Sequence, residues 1–270
     1  MISDITIGQY FPGNSVIHKM DARMKIVITL LIIVSLFVCR NLLALVFVLA
    51  GVTAVVIMSR ISFKTIFKSI KSLAVIIIIT SVLNLFYGTG EPLVEIGRFA
   101  ITENGIYKAV FMAVRIIALL IVGSMLTYTT TPTDLTDAIE RLLKPLTYLK
   151  IDVHSFAMTM TIALRFIPTL VEEIDKIMSA QKSRGADMES GSLINRAKAL
   201  IPVLIPLFIS SFRRAGELAN AMECRCYRGG QGRTKMKTVK LCARDYIALA
   251  AVIIFFALIF VLNSLMPRVI

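Results

Sequence analysis

Charge is scarce in this sequence, and one sign is scarcer than the other. Only 17% of the 270 residues are charged, and 17 Asp and Glu stand against 30 Lys and Arg, a formal net charge of +13. A soluble domain carries about 25% charged and about 45–50% apolar residues. Here the apolar set reaches 57% and the mean hydropathy is +0.80. A soluble enzyme with one core and a mixed-charge surface is thereby excluded. With 14 Gly, 8 Pro and no low-complexity tract, so are collagen-like and disordered chains. The four cysteines (Cys39, Cys224, Cys226 and Cys242) do not make a secreted disulfide framework in a chain this long. Cys224-x-Cys226 with Cys242 lacks a paired CxxC, and the only histidines are His18 and His154, so ordinary thiols are expected and no metal. There is no G-x-x-x-x-G-K-[ST] phosphate loop, no H-E-x-x-H and no G-x-S-x-G. What remains is an all-α polytopic membrane protein with a basic water-exposed part.

A membrane-crossing helix needs about 20 mostly apolar residues. Ile26–Cys39 and Leu42–Met58 are separated only by Arg40-Asn41. As one helix they would run roughly 50 Å, too long for an upright pass, so a hairpin of two short helices is expected, with a single tilted helix as the alternative. Ser72–Tyr87, Tyr107–Tyr128 and Tyr246–Met266 complete a count of about five. Val75–Ile79 is a β-branched run, but an isolated strand cannot satisfy its backbone in lipid, so helix is expected there too. His154–Leu170 is apolar yet holds Arg165 and Pro168 and leads into Glu172-Glu173, which places it half-embedded or beneath the bundle. Lys19, Arg23 and Lys25 before the first apolar run imitate a signal peptide. The polar lead containing Asp4 and Asp21, and the lack of a small-x-small junction, argue against processing.

Orientation follows from the Lys/Arg bias of short loops. Lys19, Arg23 and Lys25 precede the first helix, and Arg60, Lys64, Lys68 and Lys71 follow the second without an acid, so both segments are expected in the cytoplasm. Gly88–Ile106, with Glu91, Glu95 and Glu103 against Arg98, is expected outside. The organisation that results is membrane helices over 1–128, a cytoplasmic helical domain over 129–245 that includes the half-embedded 154–170, and a membrane helix over 246–270.

Residues 171–245 hold fourteen Lys/Arg and eight Asp/Glu, a net of +6. Within them Val171–Arg184 reads as an amphipathic helix ending at Gly185, and Glu172, Glu173 and Asp175 suit a helix start. A second helix is expected over about Phe208–Tyr227. Phe208, Phe212, Ala215, Ala219, Met222 and Cys226 form an apolar stripe on it, Arg213 and Glu217 sit four apart on another side, and Gly229-Gly230 act as the stop. Both helices therefore end in arginine. A cation in the last turn suits the helix dipole by about 0.3–1 kcal/mol, which is the plain structural account. The alternative is that two exposed guanidinium forks are presented to grooves of two copies of a soluble partner.

Two segments, Ala180-Gln181-Lys182-Ser183-Arg184-Gly185-Ala186-Asp187 and Ala221-Met222-Glu223-Cys224-Arg225-Cys226-Tyr227-Arg228-Gly229-Gly230-Gln231-Gly232-Arg233-Thr234, resemble the two Ala-Arg-Gly signatures of the transmembrane T component of energy-coupling factor (ECF) transporters, of the shared type. Gly8–Ser15 and His18–Lys25 resemble the same family near the N-terminus, and the likeness covers essentially the whole chain. Ser183 stands in place of the first Ala, and Cys224 and Cys226 in place of Ala and Gly around the second Arg. The resemblance implies two cytoplasmic ABC-type ATPase subunits, with Ser183, Arg184, Gly185, Cys224, Arg225 and Cys226 as the ATPase-coupling residues. It also implies a small membrane substrate-binding S component for vitamin or micronutrient uptake. No cofactor, no nucleic-acid partner and no catalysis by this chain are expected.

A stand-alone secondary transporter would need intramembrane ionisable groups and repeats, yet Arg115 is the one clear central charge and no repeat is visible. A membrane-embedded enzyme would need clustered ligands or nucleophiles, which two distant histidines do not supply. His18 and Asp21 suit a structural role at a membrane boundary better than a proton relay. Thr127–Thr131 with Pro132 reads as a helix exit, and Asp134 to Asp137 as the next helix start.

Overall fold

A computed structural model describes residues 10–86, 92–96, 99–186, 192–229 and 241–265. These fall into two compact units, one of residues 10–138 with 241–265 and the other of 139–186 with 192–229.

In the first unit, α1 spans Ala22–Val38, and the Asp21 carboxylate accepts from the Arg23 N–H at 2.9 Å as its N-cap. Helical geometry stops at Cys39, which is extended, and α2 begins at Leu42 and runs to Ser59. The break at Arg40-Asn41 decides for two helices over one tilted rod. α3 (Phe63–Ser72) and α4 (Ala74–Phe86) are bent by 61° at Leu73. A short antiparallel hairpin, β1 (Pro92–Ile96) with β2 (Phe99–Thr102), lies within the outer loop expected after α4. α5 (Glu103–Thr129) starts on a Thr102 side-chain cap, and α10 (Ala243–Leu265) closes the unit.

The helix ends show how these elements run. The Asp21 N–H donates to Asp245 Oδ1 at 3.1 Å, while Asn263 Nδ2 donates to Val38 O at 2.8 Å, so α1 and α10 lie parallel, start beside start and end beside end. Lys25 Nζ donates to Thr129 O at 2.7 Å, which puts the end of α5 beside the start of α1. The core is Leu36, Leu45, Val48, Phe111 and Ile259, all essentially without exposure. The outer faces are as apolar as the inner ones: Phe37, Ile57 and Ile254 are each more than 60% exposed. Such a surface suits lipid and not water.

Five stretches among the described residues are long and apolar enough to cross a membrane: α2, α5, α10, Val153–Ser183 and Ile194–Cys224. The expected number is met with a different membership. The expected first helix is only 17 residues long and the expected third, α4, only 13, counted as a crossing only together with α3. α3 itself falls where a charged loop was expected. Ile66 and Ile70, four residues apart, pack on Val56, Met125 and Tyr128, and apolar pairs at that spacing are the signal that identifies such a helix. Arg115 meets a backbone carbonyl and a ring rather than an acid, donating to Cys39 O at 2.5 Å and standing 4.6 Å from the Phe111 ring centre.

In the second unit, the boundary at Ala138/Ile139 lies inside α6 (Pro132–Leu143) and a 3-10 helix follows over Lys144–Leu149. α7 is a single helix from Val153 to Ser183. It overturns the expected start of a separate helix at Val171, and residues 154–170 make up its earlier part. Pro168 is carried inside it, where a missing N–H and a ring clash favour a bend over a full stop. Glu172, Glu173 and Asp175 are therefore mid-helix residues, not a cap. α8 (Leu193–Ala199) leads into α9 (Ile201–Cys224), which begins seven residues before the expected Phe208 because Pro202 sits in its first turn, where the absent N–H costs nothing.

Two outcomes follow. The Cβ of any residue replacing Gly51 would lie 2.8 Å from the Phe255 ring, itself stacked 4.4 Å from Phe47. Gly51→Leu should cost about 1–3 kcal/mol in thermal unfolding of the detergent-solubilised protein, with Phe255→Ala in the same chain restoring part of it. The neutral His18 ring accepts from the Ser15 hydroxyl at Nδ1 (2.6 Å) and donates from Nε2 to Phe11 O (3.0 Å), and burial, more than any other cause, lowers its pKa. A histidine whose folded pKa is depressed stabilises the fold above its unfolded value of about 6.5 and loses that contribution as pH falls below it. The melting temperature should therefore fall on acidification below about pH 6.5, with a smaller fall in His18→Gln.

Candidate coupling surface

The two arginine-bearing segments close their helices in the same way. At the end of α7, Arg184 is the C-cap, the Gly185 N–H donates to Lys182 O at 3.0 Å and the Ala186 N–H reaches back to Gln181 O at 3.0 Å. At the end of α9, Arg225 is the C-cap, the Cys226 N–H donates to Glu223 O at 2.8 Å and the Tyr227 N–H to Met222 O at 3.0 Å. Each is a Schellman closure, a pair of back-bonds that requires a left-handed residue just past the cap. Gly185 supplies it with φ +85° and Cys226 with φ +55°. Ser183-Arg184-Gly185 and Cys224-Arg225-Cys226 thus occupy matching positions of one motif, and all six residues are exposed.

Helix α9 consequently stops at Cys224, before the expected Tyr227. Gly229, with φ +77°, is left-handed too but lies beyond the closure. Gly8 and Gln9 of the N-terminal likeness, Asp187 of the first signature and residues 230–234 of the second lie outside the described residues.

Polar contacts set the register of the two helices. Glu173 on α7 receives Arg214 Nη2 of α9 at 2.6 Å on one carboxylate oxygen and the Ser210 hydroxyl on the other. Further along, Gln181 Nε2 donates to Pro202 O at 3.3 Å. Eight residues forward on α7, from 173 to 181, correspond to eight backward on α9, from 210 to 202. That register is antiparallel. The stripe expected on α9 does not enter this contact: Phe208 and Phe212 are 61% and 74% exposed. Arg213 and Glu217 approach to 4.0 Å on the solvent side. No spacing in the sequence singles out Glu173, Ser210 and Arg214 as a cluster, because the partners are 37 and 41 residues apart.

At the other end of α7, the Asp152 carboxylate caps the helix by accepting from Ser155, hydrogen bonds that hold its pKa below the ordinary value. His154 Nδ1 lies 3.1 Å from Glu140 Oε1. Among the described residues no three His, Cys, Asp or Glu side chains gather as a metal site, and none of the four cysteines is in a disulfide.

A family described as CbiQ, cobalt transport protein, matches residues 13–236. The chain is 50% identical over 271 aligned positions to an energy-coupling factor transporter transmembrane protein EcfT of Clostridium kluyveri, covering 100% of this chain and 98% of that one. It is 51% identical over 248 positions to the protein of that name from Thermosediminibacter oceani, covering 92% and 94% of the two chains. With the one from Bacillus subtilis it shares 39% over 265 positions, covering 98% and 100%.

The left-handed closures make a stability prediction of opposite sign at the two ends. A side chain in that conformation costs about 1–2 kcal/mol, so Gly185→Val should lower the unfolding temperature of the second unit. Cys226→Gly should raise it, with a stability gain of about 0.5–1 kcal/mol once glycine's greater entropy loss is deducted. Thermal unfolding of the two variants beside the parent checks both.

Proposed function

The chain belongs to the EcfT family, the transmembrane energy-coupling components of ECF transporters, and from that premise we propose that Arg184 and Arg225 each engage one of two cytoplasmic ABC-type ATPases. The observation that carries this reading is the pair of matching, exposed, arginine-capped helix ends. An arginine at such a cap has its backbone fixed by the two back-bonds of the residues after it and projects a planar fork of donors. That fork meets backbone carbonyls or carboxylates in a groove more specifically than a lysine would. As the ATPases close and separate, each groove carries its arginine with it and the motion enters α7 and α9. The exposed Phe208 and Phe212 of α9 then form a greasy face for a small hydrophobic S component, which binds the vitamin or micronutrient. Substrate choice lies with that component, and the ATPases, not this chain, carry out hydrolysis.

The charge pattern of the antiparallel pair supports a cytoplasmic, membrane-surface course for α7 and α9, although both are apolar enough to cross. Glu172, Glu173, Asp175, Lys176 and Lys182 of α7 run beside the apolar half of α9, while Arg213, Arg214, Glu217 and Glu223 of α9 lie beyond Ser210 in the opposite direction. No single depth in a bilayer would leave both helices uncharged, and each charge at the centre costs about 2.5–3.5 kcal/mol. A surface course lets the apolar halves touch lipid or the S component while the charges stay wet. With the basic segments before α1 and after α2, it also supports a cytoplasmic N-terminus.

Replacing Arg184 and Arg225 together by Glu should abolish substrate uptake while membrane insertion is unchanged, and each single change should weaken but not abolish co-purification of the ATPases. Uptake assays in cells, with pull-down from mild detergent and mass spectrometry, test this. Full uptake by the double variant would reject the reading.

A further inference from the structure

Arg184 is eleven residues beyond Glu173 on α7, and Arg225 is eleven residues beyond Arg214 on α9. Since Glu173 and Arg214 form the ion pair that joins the helices, each terminal arginine stands about 16 Å of helix from the junction. The register is antiparallel, so the two arms point opposite ways from one latch. Eleven residues make three turns plus about 20°, so each arginine also returns to nearly the face of its own helix that bears the latch residue.

We propose that Glu173, Arg214 and Ser210 are positioning residues that form the fulcrum of this two-armed lever, an inference that rests on the coupling role proposed for Arg184 and Arg225. The contact has the properties of a pivot. No apolar side chain beside the latch is fully buried: the buried side chains of α7 are Val153 and Ala157 and that of α9 is Val203, while Val171 and Ile174 of α7 and Leu207 of α9 are half-buried. A densely interdigitated core would hold one crossing angle. A directional pair whose side chains remain 31% and 21% exposed holds the register while letting the helices swing. A swing of about 10° moves each tip by about 3 Å on an arm this long, at the expense of the exposed Gln181–Pro202 hydrogen bond, and passes the displacement of one groove to the other arm. Both oxygens of Glu173 are engaged, one by each partner, so a loss of charge or a shift along either helix slackens the pivot without removing either terminal arginine.

The test uses the full transporter, this chain with its ATPases and S component, reconstituted in proteoliposomes, with uptake and ATP hydrolysis measured together. Glu173→Gln and Arg214→Met should each lower substrate moved per ATP hydrolysed at least fivefold, with the ATPases still co-purifying within twofold of the parent level. The exchanged pair, Glu173→Arg with Arg214→Glu, should recover at least half of the parent ratio. Single variants with an unchanged ratio, single variants that shed the ATPases, or an exchanged pair no better than the singles would each overturn the fulcrum. The Arg184/Arg225 double variant runs in parallel. If it is inactive while the latch variants transport normally, only the fulcrum falls. If it transports too, the coupling reading falls with it.

Discussion

A helix that ends in or near hydrocarbon leaves carbonyls and N–H groups that no water will meet, and the chain must meet them itself. In the first unit the few polar side chains are spent in this way. Lys25 reaches Thr129 O at the end of α5, Arg115 reaches Cys39 O past the end of α1, Asn263 reaches Val38 O, and Asp245 accepts the N–H of Asp21 at the start of α1. Each bond satisfies an orphan group and ties two helices at a chosen level. Lipid-facing and core-facing residues are equally apolar in a bilayer, so hydrophobicity alone cannot set rotation or height. These polar ties can, and the parallel placement of α1 and α10 rests on them.

The same economy of charge takes another form in the second unit. There the charged residues, Arg165 apart, gather on the later half of each long helix, and the antiparallel register sets each charged half beside the other's apolar half. The result is a pair of helices with polar and apolar surface along its whole length, a composition suited to a boundary between water, lipid and protein. Its two ends are closed by one motif, with glycine providing the left-handed residue once and cysteine once. A cysteine tolerates that conformation at some cost, and its presence beside Arg225 shows that the closure outweighs the strain.

The all-α membrane class, the helices α2, α5 and α10 and the arginine-ended segments could be read from composition, apolar run length and local motifs. The extent of α7 could not. Pro168 and the acidic run after it look like a boundary, but proline in a long helix bends the rod when neighbouring contacts hold both sides. α3 is hidden because three lysines dominate its ten-residue window, and its core contact comes down to Ile66 and Ile70. The stripe on α9 is real as a pattern, yet it faces outward. Periodicity shows that a helix has an apolar side and is silent about which neighbour, if any, covers it.

By itself, then, the sequence determined that this is a basic, polytopic helical protein bearing two Arg-centred helix ends, because apolar length and closure chemistry are local properties of a few adjacent residues. Tertiary structure alone decided that Glu173 meets Arg214 across 41 residues of chain. It alone decided, too, that α7 and α9 run antiparallel about that contact. Such facts depend on which surfaces meet in space, and no periodicity within a single helix encodes its partner's register.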